Sequence, residues 1–170
     1  VYVQQHTTNL PIKVTVNDGL FTAAIPFYQE TGANAKDGKT SAPQLVDLAI
    51  SGGTFTSNRS VEDGGISVKS DNKANFIAGG TFSTKPDDSY IAAGYEAKNN
   101  GNNTWTVSEK TGVTLVAQVG VNKYESLPAA LAAAKDGDTV KLVSDITTNT
   151  TIAVTGDKAI TIDFGTYTLT

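Results

Sequence analysis

Acidic side chains that could act as acid and base stand together at Asp87 and Asp88. Two carboxyl groups held on either side of one sugar bond can hydrolyse it, one as acid and the other as base or nucleophile. Neighbouring residues on a strand point to opposite faces, however. Because this pair follows Pro86 and precedes Ser89, the sequence favours a turn over a catalytic pair.

Histidine and arginine each occur once, at His6 and Arg59. A Ser-His-Asp or Cys-His system would have to use His6, and an exposed strand residue near the start of the sequence is the favoured interpretation. Arg59 lies among Ser57, Asn58 and Ser60, which indicates a solvated loop charge. The sequence therefore assigns no catalytic residue, and we expect the chain not to be an enzyme.

Oxygen ligands suitable for Ca²⁺ occur beside two glycines, at residues 136–138 and 17–19. Neither segment has the number of ligands found in an EF-hand loop, and the preference of Asp and Asn for turns explains both. No cofactor or metal ligand is therefore assigned. A structural Ca²⁺ ion is kept as the less favoured alternative.

Sugar binding is a second use for polar and aromatic residues near the middle of the chain. Residues 99–103 read Asn-Asn-Gly-Asn-Asn and could bind sugar hydroxyls, although hairpin geometry explains them without a ligand. Tyr95 and Trp105 could stack on a sugar ring. Burial at the end of a stack of strands is the favoured role for both, and no ligand-binding residue is assigned.

Composition excludes several kinds of partner. The net charge is −4, and the sequence contains no basic stripe of the kind that contacts phosphates, so we expect no nucleic acid partner. The absence of cysteine excludes disulfides and thiolate metal sites. No apolar run approaches the roughly 20 residues that span a bilayer, so membrane insertion is not expected. Methionine is absent even at position 1, which suggests a piece cut from a longer polypeptide.

A repeated segment indicates the elements that would position these residues. Residues 50–57 contain Gly-Gly-Thr-Phe and return nearly unchanged at 77–84, with a looser copy at 16–23. Gly53 and Gly80 are 27 positions apart, whereas Gly19 and Gly53 are 34 apart. Unequal spacing favours a solenoid with insertions at one corner over a propeller. The pattern predicts Phe21, Phe55 and Phe82 stacked at one interior corner. It also predicts a long surface loop from Pro26 to Pro43, in which residues 31–39 are all polar or small.

The second half of the chain predicts a hairpin, a helix and further strands. The Asn-Gly turn at 99–103 separates alternating segments at 90–97 and 104–107. Ser126 can cap a helix over residues 127–135, with Pro128 in its first turn and Gly137 as its left-handed terminator. Strands are predicted at 113–120, continued by 123–125, and at 139–143, 151–154 and 160–164.

Residues 124–142 and 160–170 resemble the N-terminal cap and first coils of pectin-lyase-like right-handed parallel β-helices in large surface proteins of gut Firmicutes. The Gly-Gly-Thr-Phe turns with residues 90–95 and 103–107 resemble the closing part of a preceding repeat. The resemblance implies an all-β fold, a right-handed parallel β-helix or β-solenoid with one short capping helix at about 127–135. Residues 1–110 would end one unit with a closing hairpin, and 111–170 would open the next with that helix and its first coils.

Enzymes of this fold family set a pattern that the chain lacks. Pectate lyases use Asp clusters that hold Ca²⁺ together with a basic residue, usually Arg, and Arg59 is the one candidate here. The polygalacturonase pattern of several paired carboxylates with His-Gly and Arg-x-Lys is absent from the sequence. We therefore expect a non-enzymatic, adhesin-like scaffold module of a larger bacterial extracellular protein on the cell surface. The alternative is a domain that binds or cleaves acidic polysaccharide. The expected partners are a host protein or glycan, or further copies joined head to tail.

Overall fold

The computed structural model describes residues 1–5, 12–31, 46–58, 65–68, 74–149 and 151–170. His6, Arg59 and residues 32–43 of the predicted loop lie outside these residues. The loop prediction is wrong for Phe27–Thr31, which form a strand because their backbone pairs with strands on both sides. The elements in chain order are β1 (Tyr2–Gln5), β2 (Ile12–Val16), β3 (Leu20–Ala23), β4 (Phe27–Thr31), β5 (Val46–Ile50), β6 (Thr54–Ser57), β7 (Ile66–Val68), β8 (Gly80–Phe82), a 3-10 turn (Asp88–Tyr90), β9 (Tyr95–Asn99), β10 (Trp105–Glu109), β11 (Ala117–Val119), β12 (Asn122–Tyr124), α1 (Leu127–Ala133), β13 (Thr139–Leu142) and β14 (Thr161–Asp163).

Strands far apart in the sequence pair in parallel through the first part of the chain. β2 pairs with β5. β3 pairs with β6, which in turn pairs with β8. β1 pairs with β4, which in turn pairs with β7. β2 and β5 alternate buried or half-buried apolar residues with more exposed ones, which is the period-2 pattern of a strand with one face on a core. The repeated segments therefore lie side by side rather than in separate hairpins.

The predicted phenylalanine stack is confirmed. Phe21 lies in register with Phe55, and Phe55 with Phe82. The ring centroids are 4.8 Å and 5.1 Å apart, with the rings nearly parallel. Phe55 and Phe82 are completely buried. They belong to a core that extends from Val3 to Val107.

Glycine is needed in the repeated segment because neighbouring backbones come close together. A Cβ atom on Gly52 would collide with the carbonyl oxygen of Asn17, and one on Gly79 would collide with that of Ser51. Gly80 has a φ of 110°, a conformation that L side chains rarely adopt. The Gly-Gly pair thus serves both the turn and the approach to the neighbouring strand.

The predicted hairpin is also confirmed and covers the last parallel strand. β9 and β10 pair antiparallel around the asparagine turn, and β10 pairs antiparallel with β8. Trp105 lies opposite Phe82 in register. Both Trp105 and Tyr95 are half-buried, not buried as predicted. The sheet is therefore parallel up to β8, which carries the last phenylalanine of the stack, and antiparallel from β10 onwards.

A second core forms around the helix. β11 pairs antiparallel with β12 and β13, and β13 pairs in parallel with β14. Helix α1 begins after the Ser126 N-cap, as predicted, and ends at Ala133 rather than at residue 135. Its predicted apolar stripe is buried and consists of Leu127, Ala130, Leu131 and Ala134.

The helix ends differently from the prediction. Ala134 is its C-cap in an extended conformation, so Gly137, with a φ of 81°, belongs to the following turn instead of terminating the helix. Lys158 Nζ donates to the carbonyl oxygens of Leu131 and Ala134, both at 2.7 Å. The sequence predicted that Gly137 would terminate the helix. Instead, the ammonium group of Lys158, which is distant in sequence, donates hydrogen bonds to carbonyl groups at the helix end.

The described residues form an all-β fold with one α-helix, as the sequence predicted at the level of class. The described residues form several separate sheets, some parallel and others mixed or antiparallel, rather than one closed solenoid. The predicted strand at 151–154 does not form where the structure describes it. Thr168 and Thr170 instead bond with residues 146–148, around a parallel bridge between Ile146 and Leu169.

Candidate functional site

A cleft of about 420 Å³ lies where the first and second parts of the chain meet. Its lining comes from Ser51 before the first Gly-Gly pair, from the second Gly-Gly turn, from the β9–β10 hairpin and from the β11–β12 segment. The lining includes Ser51, Gly79, Tyr95, Glu109, Gln118 and Val121. Both polar groups and an aromatic ring thus face this space, and they come from four separate stretches of chain.

Tyr95, Glu109 and Lys123 form a polar group at this cleft. Tyr95 and Glu109 are register partners in the hairpin, and Lys123 reaches them from β12. Lys123 Nζ donates a charged hydrogen bond to Glu109 Oε1, and its positive charge acts on Tyr95. The Lys123 side chain is 21% exposed and that of Glu109 52%, so the pair lies at the edge of solvent.

The pKa values of Tyr95 and Lys123 both move away from neutrality. Burial raises the pKa of Tyr95, although the Lys123 charge opposes this. The hydrogen bond to Glu109 raises the pKa of Lys123, against a smaller effect of burial. Tyr95 therefore stays a neutral phenol and Lys123 an ammonium at neutral pH. An acid–base catalyst works best with a pKa near the operating pH, whereas these groups are suited to hydrogen bonding.

Backbone contacts join the two parts of the chain beside the cleft. The Ala93 amide donates to Asn122 Oδ1 at 2.8 Å, and the Lys123 amide donates to the Ala93 carbonyl at 2.8 Å. A Cβ atom on Gly94 would lie 2.7 Å from the Lys123 carbonyl oxygen. β12 is therefore fixed directly against the segment that precedes β9.

The Asp87–Asp88 pair has the role of a turn. Asp87 Oδ1 accepts from the Ser89 amide at 2.7 Å and caps the 3-10 turn. Asp88 forms an ion pair with Lys85 at 2.7 Å. The two carboxylates therefore have different partners, in keeping with the turn that the sequence favoured.

The asparagine turn binds mainly to itself. Asn99 Oδ1 accepts from the Gly101 amide at 2.7 Å, and Asn100 Nδ2 donates to Thr104 and Thr106. Asn102 Oδ1 accepts from the Thr104 hydroxyl at 2.6 Å. Hairpin geometry accounts for these amide groups without a ligand.

The candidate calcium segments also bind locally or to a neighbouring segment. Asp138 Oδ2 accepts from the Lys135 amide and Asp136 Oδ1 from the Ala159 amide, each at 2.7 Å. Asn17 Oδ1 accepts from the Ser51 hydroxyl at 2.9 Å, and Asp18 Oδ1 from the Gly19 amide at 2.7 Å. Within the described ranges, His, Cys, Asp and Glu form no group of three that could hold a metal ion.

Trp105 and Tyr95 lie at different places in the hairpin sheet. Lys85 Nζ stands 5.9 Å from the centre of the Trp105 ring, whereas Tyr95 is at the cleft. Glu109 and Lys123 were not identified from the sequence, because they are 14 residues apart on strands of different sheets. The sequence did contain a signal for Glu109. Pairing the two hairpin strands around the turn at 99–103 places Glu109 opposite Tyr95.

Comparisons with known proteins gave no match to a family model, a curated protein or a solved structure. The resemblance to pectin-lyase-like surface proteins thus stays a prediction. Among the helices that the structure describes, none has the length and apolar character needed to cross a membrane.

Proposed function

We propose that the chain is a non-enzymatic scaffold module of a bacterial surface protein. In this proposal residues 1–110 are the last coils of one right-handed parallel β-helix unit, and residues 111–170 open a second unit behind α1 as its cap. The module is extracellular and needs no cofactor. It holds the corner loops of a larger, adhesin-like protein away from the cell wall, where they meet a host protein or glycan.

The observation that carries this proposal is the parallel register of repeated segments. Phe21, Phe55 and Phe82 lie in one row although 34 and 27 positions separate them. In a β-helix each coil of the chain brings an equivalent residue back to the same position above the previous one. Spacings of 34 and 27 positions are about the length of one such coil. Each added coil extends the hydrogen-bonded ladder and the buried core without needing catalytic residues.

Engineered disulfides test the coil arrangement. The chain has no cysteine, and Thr22 and Thr56 are register partners. Parallel neighbours lie within the Cα separation that a disulfide spans. The pair Thr22→Cys and Thr56→Cys is therefore expected to oxidise readily, whereas Leu20→Cys with Thr56→Cys is two positions out of register and serves as the control. Equal oxidation of both pairs would contradict the stacked-coil arrangement.

Activity assays test the functional half of the proposal. The chain is expected to release no reducing ends from polygalacturonate or other acidic polysaccharides. Reproducible cleavage that persists through repeated purification would overturn the scaffold proposal in favour of a carbohydrate-active enzyme.

Carbohydrate binding without cleavage is the second candidate, and the cleft beside Tyr95 is the observation that favours it. Its aromatic ring, carboxylate and amide are the groups that bind sugars by stacking and hydrogen bonding. A glycan array would reveal such binding. Any hit should weaken with Tyr95→Ala and remain with Tyr167→Ala, which changes an exposed tyrosine of the second unit. A hit that both variants retain would exclude the cleft.

A further inference from the structure

The turn of the β9–β10 hairpin contains the one Asn-Gly pair in the sequence, Asn100 and Gly101. Asparagine is a thermolabile residue, because its side-chain amide carbon can be attacked by the backbone nitrogen of the residue that follows. Glycine obstructs this attack least, since it has no Cβ atom. A chemical change at this turn therefore needs no ligand, cofactor or catalytic side chain.

The fold leaves this pair open to solvent. Asn100 and Gly101 are both exposed, and a Cβ atom placed on Gly101 would meet no atom within 4 Å. The Gly101 φ of 78° is one that other side chains rarely adopt, so the turn itself requires the residue that permits the attack most readily. Solvent hydroxide can reach the Gly101 amide and remove its proton, which the nitrogen must lose before it acts as a nucleophile.

The folded hairpin holds the two reacting groups on different partners. The Gly101 amide donates to Asn99 Oδ1 at 2.7 Å. Asn100 Nδ2 donates to the hydroxyl oxygen of Thr104 at 2.9 Å and to that of Thr106 at 3.0 Å. Attack on the Asn100 amide carbon requires this side chain to leave both hydroxyls and turn back towards the Gly101 nitrogen. The two hydrogen bonds therefore determine how often the reactive arrangement forms.

We propose that Asn100 is a site of spontaneous modification whose rate is set by its hydrogen bonds to Thr104 and Thr106. The Gly101 nitrogen forms a bond to Asn100 Cγ while the bond from Cγ to Nδ2 breaks. Ammonia leaves, taking up the proton that the Gly101 amide has lost. A molecule of solvent water then opens the cyclic imide at either of its carbonyl groups, which gives aspartate or isoaspartate at this position without any change of oxidation state.

The modification reverses the hydrogen-bonding character of this position. The Asn100 amide nitrogen donates, whereas an ionised carboxylate only accepts. The Thr104 hydroxyl already donates its proton to Asn102 Oδ1 at 2.6 Å, so its oxygen faces the new carboxylate without a proton between them. Isoaspartate also adds a carbon atom to the main chain of the turn. The modified hairpin, which covers β8, is therefore held less firmly than the original one.

Ageing of the full chain at mildly alkaline pH, followed by peptide mapping with mass spectrometry and an isoaspartate assay, tests the site. Asn100 is expected to convert first in the folded chain, and faster still when guanidinium chloride unfolds the hairpin. Asn99 and Asn102 should convert more slowly, since asparagine rather than glycine follows each of them. The site is wrong if Asn100 stays intact in the folded chain long after the unfolded chain has converted, or if Asn99 or Asn102 converts as fast.

Paired variants test whether the two threonines set the rate. Thr104→Val with Thr106→Val removes both acceptors and should speed conversion in the folded chain about tenfold. Thr104→Ser with Thr106→Ser keeps both hydroxyls and should react like the wild type, as should Thr166→Val, which changes an exposed threonine outside the hairpin. Equal rates for the valine and serine pairs would overturn the proposal.

A separate measurement distinguishes lost hydrogen bonds from an unfolded hairpin. The valine pair should keep the wild-type fluorescence of Trp105, the one tryptophan of the chain. Thr106→Val alone disturbs the hairpin less, because it keeps the Thr104 contact, and its rate should lie between those of the wild type and the valine pair. A wild-type chain that converts as fast when folded as in guanidinium chloride would show that the hairpin exerts no control, which also overturns the proposal.

Discussion

At the scale of single residues, the repeated Gly-Gly-Thr-Phe segment combines two requirements. Gly79 permits the approach of the Ser51 carbonyl, and Phe82 extends the buried stack. The sequence predicted both the turn and the stack because the motif recurs. It could not predict the close approach, since that depends on which backbone from a distant segment lies beside each glycine.

Replacing Phe55 with alanine is expected to lower the free energy of unfolding by about 3–5 kcal/mol, because the ring is completely buried between two others. Denaturant unfolding measures the loss. Leu20→Ala is the control, since Leu20 is 76% exposed and should cost little. A cost for Phe55→Ala no greater than that of the control would contradict the stack.

Asp145 provides a pH-dependent contact near residue 170. Hydrogen bonds from the Thr168 amide and hydroxyl, at 2.8 Å and 2.9 Å, lower the pKa of Asp145. A carboxylate with a lowered pKa stabilises the fold above its unfolded pKa and loses that contribution as pH falls through the folded value. We therefore expect the Thr168 amide NMR signal to titrate with a midpoint below 3.8.

The control for this titration is Asp145→Asn, which keeps an oxygen acceptor and removes the charge. Its Thr168 amide signal should not shift over the same acidic range. A wild-type midpoint at or above the ordinary aspartate value would show that the contact is absent in solution.

At the scale of elements, the sequence predicted the features that depend on neighbouring residues alone, such as a helix start and a hairpin turn. Ser126 and Pro128 fixed the start of α1, and the asparagine turn fixed the β9–β10 hairpin. The predicted end of α1 was wrong by two residues. Carbonyl groups at the helix end accept hydrogen bonds from Lys158, which lies 24 residues beyond Ala134 and could not be identified from local sequence. The predicted strand at 151–154 has apolar alternation, but none of the described strands pairs with it.

Replacing Lys158 with methionine tests this distant cap. The change removes three charge-assisted hydrogen bonds to carbonyl groups at the end of the helix, two at 2.7 Å and one at 3.4 Å. Because methionine keeps an unbranched apolar stem, the free energy of unfolding should fall by about 1–3 kcal/mol through the lost bonds. Chemical denaturation followed by circular dichroism measures it. Lys135→Met, close to the same helix end but exposed, should change stability by less than about 0.5 kcal/mol. Equal effects of the two variants would contradict the capping role.

At the scale of the whole molecule, the buried residues divide into two cores, one extending from Val3 to Val107 and the other around α1. The sequence indicated a second beginning near residue 111 from its helix signals. It did not indicate the junction, in which Asn122 and Lys123 bond to Ala93. No local pattern marks those residues, because their partners are set by how the hairpin meets β12.

Removing the Asn122 side chain is expected to weaken the coupling between the two cores. Asn122→Ala leaves the half-buried Ala93 amide without its acceptor, so differential scanning calorimetry should show the wild-type transition broaden or split in two. Asn122→Asp keeps an oxygen acceptor and should retain the wild-type profile. An unchanged profile for Asn122→Ala would show that the cores are coupled by other contacts.

The three stacked phenylalanines are separated by unequal lengths of chain, 34 positions from Phe21 to Phe55 and 27 from Phe55 to Phe82. A difference of seven positions between the passes leaves Phe55 in register on both sides, so the length of a pass is free to vary outside the paired strands. Each doubling of a flexible connection costs only about 0.6 kcal/mol. The ladder therefore fixes the paired strands and not the number of residues between them, so a pass that is lengthened outside its strands keeps the phenylalanine row in register.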